Sequence, residues 1–234
     1  KDWFTVNLSL HGDFYDRFKR HERIDERKNV YKSKIFEPRL TLTSSYFTGH
    51  NIIFGVEHTT DELTSDRFVN RRMTTRSLHE TEYFLQDEWT VNSHWMLSSG
   101  VRTNFSKAFG FMWMPKIAIK YAPDNHWALR ANYSMGYRAP SIKELFFNWD
   151  HLGMFQIKGS ENLQSEKNNY FSLGAEYSKD RFFINVNAYA NIFNKKIEGV
   201  WRIYDMQYNF EYINLKSQLM LGVEAIMKWR LTDN

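Results

Sequence analysis

The chain has 234 residues, no cysteine, and a formal net charge of +4 from 31 Lys and Arg against 27 Asp and Glu. An aromatic content of 17% is too high for a disordered chain, and the interspersed charges form no basic stripe of the kind that binds nucleic acid. The missing cysteines exclude disulfides, thiol nucleophiles and Cys-ligated metal centres, and no run approaches the roughly 18 to 20 apolar residues of a membrane helix.

Alternation of apolar and polar residues predicts about ten β-strands along the chain. In residues 125–137, for example, Leu129 and Tyr133 share an apolar face while Arg130 lies on a polar one. The same alternation recurs in residues 95–105 and 181–192. The mean hydropathy of −0.59 suits a soluble protein, but it also suits a membrane β-barrel, in which only alternate residues meet lipid.

The connections between these strands alternate in length. Short turns are predicted near residues 48–51, 92–94, 123–125 and 178–180. Longer, more polar loops are predicted at residues 21–29, 60–72 and 136–166, and only the short SKAFG connection at 106–110 departs from this rule. Short turns at one end and long loops at the other are typical of an outer-membrane barrel.

Large aromatic residues gather near the short turns, where they would form an interfacial girdle. These residues are Tyr46, Trp89, Trp95, Tyr121, Trp127, Tyr177, Phe182 and Trp229. Asp87 falls on the same apolar face as Leu85 and Trp89, and we expect it at the membrane interface because it lies close to a short turn.

Charged residues of both signs fall on the opposite face, which predicts a polar barrel interior. They are Arg39, Glu57, Glu82, Glu88, Arg102, Lys116, Lys120, Arg130, Glu176, Glu224 and Lys228. A soluble antiparallel sheet with one exposed face has the same pattern, so this alternative stays open at this point. Because open sheet edges are not tolerated in a bilayer, we expect the chain to be a piece of a larger closed barrel.

Several motifs resemble those of TonB-dependent outer-membrane receptors, in the same order along nearly the whole chain. They are YFLQDEW at 83–89, PKIAIKYAP at 115–123, GYRAPSIKELFF at 136–147, GSENLQSEKNNYFSLGAEY at 159–177 and LGVEAIMKW at 221–229. The resemblance implies an all-β, antiparallel transmembrane β-barrel of 22 strands in the bacterial outer membrane. Residues 1–234 would be the middle and later strands, without the plug domain that contacts TonB and without the last strands.

The stretch at residues 136–166 is the candidate ligand-binding loop. Haem receptors of this family resemble it in having a histidine between a YRAP box and an NPDL box, and His151 lies between YRAP and SENL here. The resemblance implies that His151 contacts haem iron as an axial ligand. The other candidate ligand-binding residues are Tyr137, Arg138, Trp149, Met154 and Phe155. The alternative is that the aromatic residues only pack the loop and that Arg138 pairs with a loop carboxylate such as Glu144.

The resemblance therefore implies TonB-dependent uptake of a scarce iron-containing ligand, with haem favoured. A ferric siderophore, cobalamin and a passive porin-like barrel are the alternatives. We expect no enzymatic activity, because HETEYF at 79–84 lacks the second histidine of a zinc protease and no nucleophile cluster is found. We also expect no permanently bound cofactor. The expected partners are TonB, outer-membrane lipids, the ligand and, as a further candidate, a surface lipoprotein, but no nucleic acid.

Overall fold

The computed structural model describes residues 3–21, 26–68, 72–151, 153–204 and 206–232. These residues form twelve strands and one short helix. The elements are β1 Phe4–His21, β2 Glu26–Ser44, β3 His50–Ser65, β4 Thr74–Thr90, β5 Trp95–Ser106, β6 Gly110–Tyr121, β7 Trp127–Arg138, α1 Ile142–Phe146, β8 Asn148–His151, β9 Phe155–Lys158, β10 Glu166–Lys179, β11 Phe182–Tyr204 and β12 Gln207–Trp229. Among the described residues, no helix is long and apolar enough to cross a membrane.

Ten long strands form one antiparallel sheet in which chain neighbours pair. The sheet order is β1-β2-β3-β4-β5-β6-β7-β10-β11-β12-β9-β8, so β1 is an open edge and the short strands β8 and β9 lie beyond β12. The prediction of about ten alternating strands is confirmed, and the sheet is not closed into a barrel.

The strands extend further into the predicted long loops than the sequence suggests. Strand β1 runs to His21 and β2 starts at Glu26, and β3 continues to Ser65. The strands β11 and β12 each contain 23 residues, whereas roughly 9 to 11 residues cross a bilayer. Strand pairing between β11 and β12 therefore continues well beyond the length that crosses a bilayer.

The polar face predicted from alternation is one face of this sheet. In register, Arg39 lies opposite Glu57, and Arg102 lies diagonally adjacent to Glu82. Three arginines on this face form ion pairs with carboxylates on neighbouring strands, at 2.5 Å for Arg39 to Glu57, 2.6 Å for Arg102 to Glu82 and 2.9 Å for Arg130 to Glu176. Charges of both signs thus stabilise one another on the inner surface.

The aromatic girdle also forms as predicted. The rings of Trp95 and Tyr121 stack with centroids 4.4 Å apart, and those of Trp127 and Tyr177 lie 4.8 Å apart. At the same end, Phe182 pairs in register with Trp229. These contacts place one membrane interface at the short turns.

The acidic residue on the lipid-facing side has a partner that the sequence did not reveal. The carboxylate of Asp87 lies 2.7 Å from Nδ1 of His50, and the imidazole of His50 stacks on Trp89 with ring centroids 5.1 Å apart. Asp87 therefore lies among interfacial side chains next to a short turn, as expected from its position.

Candidate functional site

The connection between β7 and β10 folds back over the polar face of the sheet. Helix α1 begins after Ser141, whose hydroxyl accepts a hydrogen bond from the Glu144 amide while the Glu144 carboxylate accepts one from the Ser141 amide. This capping box satisfies amide groups that a five-residue helix otherwise leaves unpaired. Pro140, immediately before it, supports the extended backbone that precedes the helix.

Two buried side chains of α1 dock the loop on opposite parts of the sheet. Ile142, 1% exposed, packs with Leu63 of β3 and with Phe68 and Phe147. Leu145 packs with Leu163 and with Ile197 of β11. The loop therefore spans the inner side of the sheet from β3 to β11.

The two ends of the loop are held together by Arg138. Its guanidinium lies 3.0 and 3.1 Å from the two Glu144 carboxylate oxygens and 3.5 Å from the Glu166 carboxylate. Glu166 also accepts a hydrogen bond from the Ile197 amide at 2.9 Å. The predicted pair of Arg138 with Glu144 is thus present, and it fixes the start of the loop relative to the start of β10.

Tyr137, next to Arg138, also links the start of the loop to its end. Its hydroxyl accepts a hydrogen bond of 3.3 Å from Ser165. Gly159 lets the returning chain approach α1, because a Cβ there would lie 2.7 Å from the backbone carbon of Leu145. Together with Arg138, these contacts show that the YRAPS and SENL segments act as anchors of the loop.

The middle of the loop is a hairpin of β8 and β9. His151 is the last residue of β8 and pairs in register with Phe155, but its side chain lies outside the described part of the structure. The ring of Trp149 contacts that of Phe155 edge-on at 6.0 Å, and Phe155 in turn contacts Trp201 of β11 at 5.8 Å. Strand β9 extends the sheet further by pairing in parallel with residues 208–211 of β12.

The six predicted ligand-binding residues therefore fall into two groups. Tyr137 and Arg138 lie at the end of β7, where the loop begins, whereas the others belong to the hairpin. Met154, at the hairpin turn, is 58% exposed. The structure brings Trp149 and Phe155 together, and it leaves the ligand-binding role of all six residues as a prediction.

A cationic and aromatic cavity of about 410 Å³ lies beside the loop and was not predicted from the sequence. The guanidinium of Arg67 lies 4.4 Å above the ring of Trp149, and the ammonium of Lys143 lies 5.3 Å from the ring centre of Tyr31. The lining residues are Asp13, Tyr15, Arg17, Tyr31, Ser33, Arg67, Lys143 and Phe147. The lining contains three cationic side chains, one carboxylate and several aromatic rings. This combination suits an anionic ligand that also has aromatic or apolar surface.

Part of this cavity could have been found from the sequence, because alternation along β1 places Asp13, Tyr15 and Arg17 on one face. The contributions of Arg67 and Lys143 depend on how two loops fold, which alternation does not report. Among the described residues, no group of three or more His, Asp or Glu side chains is arranged to hold a metal.

An open antiparallel sheet with an apolar outer face, an aromatic girdle at the short turns and a charged inner face defines part of the wall of an outer-membrane β-barrel. Residues 2–234 match the family described as TonB dependent receptor-like, beta-barrel, and the chain belongs to that family. The predicted fold class and the outer-membrane location are confirmed. The soluble sheet is excluded.

The chain is similar to an iron-regulated outer membrane virulence protein of Vibrio cholerae, with 26% identity over 203 residues. This match covers 83% of the chain and 31% of the relative, so the chain spans about a third of the length of that protein. The fold resembles that of the siderophore receptor PirA from Pseudomonas aeruginosa, with a TM-score of 0.82, 16% identity, and coverage of 100% of this chain and 45% of that chain.

A variant of the ferric enterobactin receptor PfeA from Pseudomonas aeruginosa has a similar fold as well. Its TM-score is 0.79 at 17% identity, with coverage of 98% of this chain and 39% of that chain. At these identities the structural similarities establish the fold alone.

Proposed function

We propose that this chain forms part of the wall and one ligand-binding loop of a receptor that takes up an iron-containing ligand with energy from TonB. The main observation that supports this proposal is the loop anchored by Arg138 and α1. This loop places an aromatic hairpin on the inner side of the wall, beside a cationic cavity. The family and the name of the iron-regulated relative support uptake of iron. TonB would act on a plug domain, and a surface lipoprotein as a further partner stays a prediction.

Membership of a receptor family favours this proposal over a passive porin. The absence of enzymatic activity and of a permanently bound cofactor stays a prediction. A barrel built from residues 1–234 together with further strands and a plug is likewise an expectation, because the chain covers 45% or less of the receptors that it resembles in fold.

Haem is the ligand that the sequence favours. A haem iron needs an axial donor, which His151 would supply, and apolar surface against the porphyrin, which Trp149 and Phe155 would supply. The hairpin supports this because it holds both aromatic rings next to the backbone of His151.

An anionic ferric chelate, such as a ferric siderophore, is the second candidate. The cavity beside the loop supports it, because Arg67 and Lys143 lie against aromatic rings and the cationic residues outnumber the single Asp13. Arginine and lysine bind negatively charged oxygen atoms, while the neighbouring rings contact the flat apolar parts of such a chelate.

The haem proposal predicts a specific effect of His151→Ala in the complete receptor. Loss of an axial donor is expected to weaken haem binding at least about tenfold, which corresponds to about 1.4 kcal/mol, and to shift the Soret band. Haem titration followed by absorbance measures both quantities. The matched control is His94→Ala, since His94 lies in a short turn at the other end of the wall. Equal Soret-band binding by His151→Ala and the wild-type receptor would remove His151 from the site.

The chelate proposal predicts that the charge of the cavity matters. Arg67→Gln and Lys143→Gln are each expected to weaken binding of ferric enterobactin by about tenfold, because each removes one charge-assisted contact of about 1.5 kcal/mol. Fluorescence quenching of the complete receptor measures the affinity. Lys179→Gln, at the short-turn end of β10, is the control of equal charge change. If all three variants bind this chelate like the wild-type receptor, the cavity is not its site.

A further inference from the structure

A second polar cluster lies on the inner face of the sheet, between β4 and β5. In register, Glu80 pairs with Ser106 and Glu82 pairs with Asn104, so these four side chains occupy neighbouring positions on one face. Asn104 is 0% exposed and Ser106 is 1% exposed. Glu80 and Glu82 are partly buried beside them. The cluster plays no part in the ion pairs between Arg39 and Glu57 or between Arg130 and Glu176.

The hydrogen bonds of the cluster fix the orientation of Asn104. Its Nδ2 donates to Oε2 of Glu80 at 3.1 Å and to Oε1 of Glu82 at 3.2 Å. The other oxygen of Glu82 lies 2.6 Å from the guanidinium of Arg102. Because the amide nitrogen of Asn104 donates to both carboxylates, its carbonyl oxygen takes part in neither hydrogen bond and is left to accept from another group.

Three buried oxygen atoms of this cluster have no hydrogen-bond partner. They are Oε1 of Glu80, Oδ1 of Asn104 and Oγ of Ser106, and they make up half of the six buried side-chain atoms without a partner among the described residues. Buried polar atoms in native proteins nearly always have a partner. All three atoms can accept a hydrogen bond or bind a hard cation through oxygen.

The local charge favours a cation over a neutral partner. The carboxylates of Glu80 and Glu82 face a single guanidinium, that of Arg102, so the cluster carries one excess negative charge when both carboxylates are ionised. A divalent cation binds several oxygen atoms at once and offsets this charge, and Ca²⁺ combines carboxylate, amide carbonyl and water ligands in flexible geometry.

We propose that Glu80, Asn104 and Ser106 form a calcium site in the wall of the receptor, with water completing the coordination. Leu78, two positions before Glu80 on the same face of β4, packs against the cluster that contains Leu145 of α1. The cation would therefore lie next to the part of β4 that α1 contacts. This site is independent of which iron-containing ligand the receptor takes up.

Equilibrium dialysis of the complete, chelator-washed receptor against radioactive Ca²⁺ tests the site. The wild-type receptor is expected to bind one more Ca²⁺ than Glu80→Gln, or to bind it at least tenfold more tightly. Ser106→Ala, a small change that preserves the strand, is expected to weaken the same site about threefold. Glu176→Gln removes another inner-face carboxylate and is expected to keep the wild-type stoichiometry, which corrects for calcium bound to residual lipid phosphates.

Thermal unfolding supplies a second readout. With a calcium site, 1 mM Ca²⁺ raises the unfolding temperature of the wild-type receptor, and Ser106→Ala reduces this rise. Without such a site, Ser106→Ala removes an unpartnered buried hydroxyl and raises the unfolding temperature equally with calcium or with chelator. The latter result, or equal calcium stoichiometry in the wild type and Glu80→Gln, overturns the proposal and indicates that the oxygen atoms bind water only.

Discussion

Replacing Val101 by arginine is expected to destabilise the barrel by about 2–4 kcal/mol, because a charge at mid-membrane on the lipid-facing side is costly. Val101 lies on the outer face of β5, opposite Leu85 on β4 and Pro115 on β6. With a rise of about 3.4 Å per residue and a strand tilt of about 40°, it lies about 15 Å from the girdle residue Trp95. This distance places it near the middle of the bilayer.

Ser98→Arg is the matched control for this prediction, since Ser98 is on the inner face of the same strand opposite Glu88. An arginine there faces a carboxylate, and the expected change is about 0.5 kcal/mol or less. Denaturant unfolding of the complete receptor in lipid vesicles measures both free energies. Equal costs for the two variants would show that the outer face of β5 does not meet lipid.

Replacing Ile142 by alanine is expected to weaken docking of the loop by about 2–4 kcal/mol. Ile142 is 1% exposed and fills the contact between α1, Leu63 and Phe68, so its truncation loses apolar burial and leaves a cavity. Because this contact attaches the loop to the wall, its weakening raises the population of undocked loop by at least about tenfold.

Limited proteolysis of the complete receptor measures this effect as faster cleavage within residues 139–165. Glu161→Ala serves as the control, because Glu161 is exposed in the same loop and its truncation removes no buried contact. Cleavage of Ile142→Ala at the rate of the control would contradict docking through α1. The ten long strands are expected to stay resistant in both variants.

In the loop between β7 and β10, the sequence contains a recognisable helix start but no recognisable signal for the two short strands. Pro140, Ser141 and Glu144 carry the pattern of a helix start, and α1 begins there with a capping box. The strands β8 and β9 are only four residues each, which is too short for alternation to identify. Strand β9 also pairs with β12, a partner far away in the chain.

The sequence also did not predict which residues contact individual charged side chains. Asp87 was placed at an interface by its distance from a turn, but its contact with His50 follows from the register of β3 with β4. In the same way, Arg67 meets Trp149 only because the connection after β3 and the loop after β7 lie over the same part of the wall. Register and loop packing decide such pairs, and alternation along one strand does not identify the partner of a residue on another strand or loop.

By itself, the sequence determined the number of long strands, the side of each strand that meets lipid, the end at which the aromatic girdle forms, and the family. These properties follow from a two-residue period and from local motifs, which are visible without knowing any distant contact. Only the tertiary structure decided how the loop docks, which cations border the cavity beside it, and that Glu80, Asn104 and Ser106 share unpartnered oxygen atoms. Each of these depends on residues from different strands and loops being brought together, and the two-residue period gives the face on which a residue lies but not its partner on another strand or loop.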